Sequence, residues 1–235
     1  MKISSKLSVV AAALVLTSAF ASADNIVSNT STVTYNGYIA LGGSYPAPGA
    51  FAQAPQATFE LNNVTPSWDT AFAGSSWVGI ASNAGPSGTS NPAQGYYLFA
   101  YSYTGETGSL TDLQVYADDT TSVWLNDSLL ITQGNLGGDA HCSDNAPSCW
   151  QNKYGSLASS VAINNGDTLY FVVEQKGNNN PGGTGNPSGL DFIGTTVAAT
   201  QQQNPVPEPS SLILLGSGLV GSAGMMMRRM RATRG

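Results

Sequence analysis

Hydrophobic and aromatic residues in this chain of 235 residues recur in short groups, which polar and turn-forming residues separate. In LTDLQVYA (110–117), Leu113, Val115 and Ala117 occupy every second position, which is the period of a half-buried β-strand. Gly, Asn, Asp, Ser, Thr and Pro fill the intervals, as they do in turns. Groups of this kind predict nine β-strands, at 31–41, 56–61, 75–81, 95–104, 110–117, 121–125, 128–132, 167–175 and 189–199.

The number and spacing of these strands predict an all-β fold, a β-sandwich or jelly roll. A parallel α/β sheet would need amphipathic crossover helices, and the sequence contains no such pattern. We assign residues 24–200 to one β-sandwich ectodomain, which is long enough to bury a core. Two of its intervals, 134–155 and 177–189, are too long for simple connections and are typical of functional loops.

One pair of strands is predicted to form a tight hairpin. Hydrophobic residues alternate on both sides of Asn126 and Asp127 in TSVWLNDSLLI. Asn and Asp tolerate the positive φ that two-residue hairpin turns require. We therefore expect a β-hairpin whose turn consists of these two residues.

Part of the chain resembles the galactose-binding-like jelly-roll modules of bacterial surface proteins. The similar segments are SSWVGIA and GYYLFAYSY, then LQVYADDTTSVWLNDSLLI, and finally NNGDTLYFVVEQ and NPSGLDFIGTTV, within residues 75–197. The turn glycine of those modules is replaced here by Asp127. The resemblance implies a jelly-roll sandwich, but a fold alone does not assign a ligand.

The N-terminus has the three parts of a secretory signal peptide. Lys2 and Lys6 precede an apolar run from Leu7 to Phe20, and an Ala-Ser-Ala sequence ends at Ala23. The alternative, a permanent anchor, would need about 20 apolar residues. We expect residues 1–23 to form a signal helix that the Sec export machinery recognises, with cleavage after Ala23.

Charge restricts the partners of the segment between the two ends. All fourteen acidic residues lie between Asp24 and Glu208, with only Lys153 and Lys176 as basic residues, so its net charge is 2 − 14 = −12. Such a surface repels phosphate backbones and excludes nucleic acid as a partner. Divalent cations and neutral glycans are compatible with it, and so is simple solubility outside the cell.

The two cysteines, Cys142 and Cys149, predict a disulfide, because closely spaced pairs in exported chains are usually oxidised. The alternative is a metal site that also uses His141 and Asp144. Six residues separate the cysteines, whereas zinc sites favour about two to four. Spacing and compartment therefore favour the disulfide.

Asp118 and Asp119 are the strongest candidates for a metal site. With Asn126 across the predicted hairpin, they offer hard oxygen ligands of the kind that calcium prefers. Their arrangement resembles the Asp-Asp calcium site of flocculin-type protective-antigen lectin domains, and the resemblance implies a metal that helps bind sugar hydroxyls. The alternative is a pair of aspartates that caps a turn between two strands.

Aromatic side chains are the second candidates for ligand binding, because sugar rings stack on flat apolar faces. Trp150, in a long loop beside the predicted disulfide, and Trp124 are the two that we nominate. In a sandwich about half of such rings face the core, so each has packing as its alternative role.

Sequence motifs do not support catalysis. His141 is the single histidine, and the G-x-S-x-G, H-E-x-x-H and P-loop patterns are absent from the sequence. A pair of carboxylates for glycoside hydrolysis cannot be recognised from sequence, because its separation is spatial. We therefore expect a protein that is not an enzyme, with a secreted hydrolase as a remote alternative.

The C-terminal segment has the sequence pattern of a membrane span. Nineteen uncharged residues run from Pro209 to Met227, which as a helix would extend about 28 Å, close to the thickness of the hydrocarbon core. Arg228, Arg229 and Arg231 follow as a cytoplasmic stop. This pattern predicts a single transmembrane helix in the inner membrane, with the acidic domain outside.

The tail closely resembles the PEP-CTERM sorting signal. Val206, Pro207, Glu208 and Pro209 form its motif, a polar spacer precedes them, and the apolar helix and arginine-rich end complete residues 201–235. The resemblance implies recognition by an exosortase, a membrane-embedded peptidase of exopolysaccharide-producing Gram-negative bacteria, which cleaves near the motif. The alternative is an ordinary single-pass anchor, for which no Pro-Glu-Pro entrance is needed.

These features together predict an exported protein, anchored transiently in the inner membrane and then placed on the cell surface or in the extracellular matrix. We expect a non-catalytic carbohydrate-binding or adhesion module, with exopolysaccharide as a candidate partner and calcium as a candidate cofactor. The alternative is a purely structural matrix protein without a specific ligand.

Overall fold

The computed structural model of the protein describes residues 23–62, 64–65, 67–134, 155–176, 187–199, 217–218 and 228. The chain divides into two units, Met1–Ala199 and Thr200–Gly235. In the described part of the first unit, strands form two antiparallel sheets. The strands are β1 (Ala23–Val27), β2 (Val33–Ala40), β3 (Gln56–Ala57), β4 (Phe59–Glu60), β5 (Val78–Gly79), β6 (Gly95–Ser102), β7 (Gly108–Asp118), β8 (Thr120–Leu125), β9 (Ser128–Ile131), β10 (Gly155–Ser156), β11 (Val161–Ile163), β12 (Thr168–Gln175) and β13 (Gly189–Ala198).

The two sheets are built around different long strands. In the seven-stranded sheet the order is β10-β7-β13-β5-β4, with β1 also paired to β13 and β11 to β7. In the six-stranded sheet the order is β3-β2-β6-β12-β8-β9. Since β7 and β8 follow each other in the chain but belong to different sheets, the chain changes sheets at Asp118 and Asp119.

The main core contains side chains from both sheets. Leu113, Val115 and Ala117 of β7 are all fully buried in it, which confirms the alternation predicted for this strand. Phe192 of β13 stacks on Phe171 of β12, with ring centroids 4.4 Å apart and planes inclined by 17°. This pair joins the seven-stranded sheet to the six-stranded sheet.

Both sheets are also covered on parts of their outer faces. Over the seven-stranded sheet, Trp68 and Trp77 form a second apolar cluster with Tyr116 of β7. Over the six-stranded sheet, Tyr45 and Phe51 pack on a third cluster, near a 3-10 turn at Pro48–Ala50. The strands therefore carry aromatic residues on both faces, which is why their alternation of polar and apolar residues is incomplete.

The all-β prediction is confirmed, and each of the nine predicted strands contains observed strand residues. The region 56–61 forms two short strands, β3 and β4, and the region 75–81 contributes only β5. The strands β1, β10 and β11 were not predicted. The last two have two and three residues, too few to show a period of two.

The predicted hairpin is confirmed. Leu125 pairs with Ser128, and Asn126 between them has a positive φ of 51°. The Asn126 side-chain amide donates to Asp167 Oδ1 at 3.0 Å, and its oxygen accepts from the Thr168 main-chain N–H at 3.0 Å. These hydrogen bonds attach the turn to the start of β12.

The chain ends contribute little to the described structure. The predicted signal helix lies outside the described residues, except that Ala23 begins β1. Of the second unit, Ser217, Gly218 and Arg228 are described, and they have helical geometry. Within the parts of the chain described above, no helix has the length and apolarity needed to cross a membrane. Both terminal helices stay predictions.

Candidate functional site

The predicted acidic pair lies at the corner where the chain leaves one sheet for the other. Asp118 ends β7, and Asp119 is the one residue between β7 and β8. Both residues are 0% exposed, and the peptide bond that joins them is cis. Both carboxylates are buried beneath the surface, because strands of two sheets meet at this corner.

Hydrogen bonds hold the two carboxylates in place. Trp68 Nε1 donates to Asp118 Oδ2 at 2.9 Å, and the Lys176 main-chain N–H donates to Asp119 Oδ2 at 2.6 Å. The Asp119 main-chain N–H in turn donates to the Glu174 carbonyl at 2.9 Å. Neighbouring elements thus fix one oxygen of each carboxylate.

Gln175 is a third buried polar residue next to this corner. Its amide donates to the Pro187 carbonyl at 2.6 Å, and the adjoining Ser188 hydroxyl donates to the Asp118 carbonyl at 3.1 Å. Asp118 Oδ1, Asp119 Oδ1 and Gln175 Oε1 are all buried. Sequence reasoning missed Gln175, since its only signal is its position at the end of a strand before a long interval.

Both long intervals of the chain begin at this corner. The Gly134 main-chain N–H donates to Thr120 Oγ1 at 2.7 Å, and residue 135 follows it. Lys176 contacts Asp119, and residue 177 follows it. Trp150, Cys142 and Cys149 belong to the first interval and lie outside the described residues, so the predicted ligand platform and disulfide stay predictions.

Asn126 does not join the acidic pair. It follows the last residue of β8, whereas Asp119 precedes the first, so roughly 20 Å of strand separates them. Its side chain instead caps the start of β12 through Asp167. Hydrogen bonds from Asn126 and Asn164 hold the pKa of the Asp167 carboxyl below its ordinary value.

Trp124 also lies away from the corner. It is half-buried on the outer face of the six-stranded sheet, where it packs against the cluster of Tyr96, Leu98 and Val172. Trp124 Nε1 donates to Ser122 Oγ at 2.8 Å. The observed contacts of Trp124 therefore fit the packing role that the sequence left open as the alternative to sugar stacking.

Within the described ranges, no group of three or more His, Cys, Asp or Glu residues is arranged to hold a metal. The corner brings together two carboxylates and one amide side chain, so a metal there would also need oxygens from elsewhere. Calcium takes about six to eight oxygen ligands, which include main-chain carbonyls, amides and water.

Asp191 is another buried carboxylate, but it performs a structural task. Ser28 Oγ donates to its Oδ1 at 2.6 Å, and the Phe72 main-chain N–H donates to its Oδ2 at 2.9 Å. It thereby attaches the segments around Ser28 and Phe72, both distant in sequence, to strand β13. Burial raises the pKa of Asp191 above its ordinary value, although these hydrogen bonds oppose the rise.

The raised pKa of Asp191 predicts a pH-dependent stability. Between the ordinary and the raised pKa the folded state holds a proton that the unfolded state has lost, so this contribution to stability falls as the pH rises through that window. Urea unfolding of the wild type and of Asp191→Asn, from about pH 3 to 7, measures it. The stability of the wild type relative to the variant should decrease with rising pH. A difference that does not change with pH would contradict this assignment.

Comparison with known proteins identifies the C-terminal segment. Residues 205–231 match the model of the PEP-CTERM protein-sorting motif. The chain therefore carries this motif, as its resemblance predicted, and the match supports an exported exosortase substrate that is anchored transiently in the membrane. The match includes Val206, Pro207, Glu208 and Pro209.

No curated protein matches the sequence significantly. Among solved structures, the chain is similar to the Podospora anserina GH26-CBM35 beta-(1,4)-mannanase at 17% sequence identity. The similarity covers 62% of this chain and 28% of the mannanase, with a TM-score of 0.27. At that score it supports no argument about the function of the sandwich.

Proposed function

We propose that this exported protein is a non-catalytic carbohydrate-binding module of the cell surface, and that calcium at Asp118 and Asp119 is part of its binding site. The observation that carries the proposal is the pair of adjacent, fully buried carboxylates at the corner between the sheets.

Charge favours a bound cation at the corner. Two buried carboxylates are costly unless protons or positive charges compensate them. Lys153 and Lys176 are the only basic residues between Asp24 and Glu208, against fourteen acidic ones. Two adjacent carboxylates in a chain so poor in basic residues would attract a divalent cation from the extracellular medium.

The ligand atoms at the corner suit calcium. Carboxylate and amide oxygens are hard ligands, and the side chains of Asp118, Asp119 and Gln175 are all buried at this corner. The Lys176 main-chain N–H orients the Asp119 carboxylate, and the Trp68 indole orients the Asp118 carboxylate, without any metal. When bound, calcium would supply positive charge beside the two carboxylates.

Location supports a glycan as the ligand. The PEP-CTERM motif implies that an exosortase processes the chain, which supports a location of the sandwich outside the inner membrane. The net charge of −12 between Asp24 and Glu208 disfavours polyanionic partners and leaves neutral polysaccharides as suitable ones. We therefore propose extracellular polysaccharide as the ligand class.

Binding of the purified full-length chain to a glycan array, with calcium and with a chelator, tests this function. We expect binding to neutral glycans in calcium, and at least a tenfold loss both in chelator and in Asp119→Asn. Asp112→Asn, on β7 just before the acidic pair, is the matched control with the same change of charge and should bind normally. Absence of glycan binding in both conditions would contradict the proposal and favour a structural matrix protein.

A further inference from the structure

A groove crosses the outer face of the six-stranded sheet, far from the acidic corner. It encloses about 220 Å³ and is lined by Asn36, Pro48, Gly49, Phe51, Gln53, Leu98, Asp127 and Tyr170. Asp127 belongs to the hairpin turn after β8, at the opposite end of that strand from Asp119. The two sites therefore share no residue.

The groove spans four adjacent strands. Asn36 lies on β2, Leu98 on β6 and Tyr170 on β12, while Asp127 follows β8, and these strands are consecutive in the sheet. With strands about 4.8 Å apart, the groove is roughly 14 Å long. Leu98 and Tyr170 form its floor, and the segment from Pro48 to Gln53 forms one side.

A β-bulge shapes the end of the groove at β2. The register with β6 shifts between Tyr35 and Gly37, so Asn36 is the extra residue of the bulge. Bulges redirect side chains and often occur next to functional sites. Asn36 Oδ1 accepts from the Thr34 hydroxyl at 2.7 Å, which orients the amide.

Gly37 allows the covering segment to approach the bulge. A Cβ at this position would lie 3.3 Å from Gln53 Cβ and 3.4 Å from Phe51 Cδ1, and its φ of 139° disfavours other residues. The side of the groove that carries Phe51 and Gln53 is therefore held close to Asn36.

The lining has the chemistry of a sugar-binding site. Phe51 and Tyr170, both half-buried, offer ring surface for stacking, whereas Asn36, Gln53 and Asp127 offer amide and carboxylate groups for hydroxyls. Asp127 is the one charged residue among the eight that line the groove. A single carboxylate is a poor calcium site, so binding here would not require the metal.

From this arrangement we infer that the groove is a second carbohydrate subsite, which holds one neutral pyranose ring without calcium. The volume, below the roughly 300–1,000 Å³ of pockets for drug-sized ligands, suits a single small ring. A ligand with so few atoms binds weakly, with a dissociation constant on the order of 1–10 mM. The inference does not depend on calcium at Asp118 and Asp119.

Titration of the full-length chain with neutral methyl glycosides in chelator, followed by NMR, tests the inference. The probes are the methyl pyranosides of glucose, galactose and mannose. We expect at least one of them to shift the side-chain amide signals of Asn36 and Gln53. Phe51→Ala and Gln53→Ala should weaken this binding at least fivefold, whereas Gln56→Ala, an exposed glutamine on β3, should leave it unchanged.

Three results would overturn the inference. The first is that none of the glycosides shifts the amide signals of Asn36 or Gln53. The second is that Gln56→Ala weakens binding as much as Gln53→Ala does. Because both side chains are exposed, neither substitution is expected to cause misfolding. The third is that binding requires calcium and is lost in Asp119→Asn, which would assign the sugar to the acidic corner. Conversely, calcium-independent shifts in Asp119→Asn support the groove even if the corner binds no metal.

Discussion

Calcium is expected to raise the melting temperature of the full-length chain by about 5–10 °C, and Asp119→Asn should remove most of this rise. A ligand at 100 times its dissociation constant stabilises the folded state by about 2.7 kcal/mol. For a domain of this size, each kcal/mol raises the melting temperature by about 2–4 °C. Differential scanning calorimetry of the wild type and the variant, with calcium and with chelator, measures the effect.

The same variant should behave differently without calcium. In chelator, Asp119→Asn removes a buried negative charge, and its amide oxygen can still accept the Lys176 main-chain N–H. We therefore expect the variant to be at least as stable as the wild type there, because an ionised carboxylate is costlier to bury than a neutral amide. Asp112→Asn should retain the full response to calcium. A variant that is less stable than the wild type in chelator, with its calcium response intact, would assign Asp119 a structural role instead.

Phe192→Ala is expected to lower the free energy of unfolding by about 3–5 kcal/mol. Phe192 is fully buried, stacks on Phe171 and meets the ring of Tyr101 edge-on at 5.7 Å. Its removal would leave a cavity between the sheets and delete contacts with two aromatic residues of the opposite sheet. The melting temperature should fall by roughly 6–20 °C, which urea unfolding and calorimetry would both detect.

Phe59→Ala is the matched control, because this phenylalanine lies on the short strand β4 and is 45% exposed. Its truncation should cost about 1 kcal/mol or less, since little apolar surface is lost from the core. Equal losses of unfolding free energy in the two variants would contradict the conclusion that Phe192, packed on Phe171, is part of the sandwich core.

Features that depend on nearby residues could be predicted from the sequence. The alternation at Leu113, Val115 and Ala117 is local, and so is the turn chemistry of Asn126 and Asp127; the structure has both. The PEP-CTERM motif is likewise a linear pattern, and the comparison confirms it. Strands of two or three residues carry no such periodic signal, which is why β10 and β11 were missed.

Features that depend on distant residues could not be predicted. Asp118 is buried because Trp68, fifty positions earlier, covers and hydrogen-bonds it. Closeness in sequence predicts Asn126 beside the acidic pair, but a whole strand separates them and the partner of Asn126 is Asp167. The groove, similarly, combines four strands with a covering segment, so no single stretch of sequence shows it.

Equilibrium dialysis of the full-length chain against labelled calcium measures whether Asp118 and Asp119 form a calcium site. We predict one bound calcium ion per chain in the wild type and in Asp112→Asn, and a loss of this binding in the double variant Asp118→Asn, Asp119→Asn. Equal calcium binding by the wild type and the double variant, or none by the wild type, would rule out a calcium site at these residues.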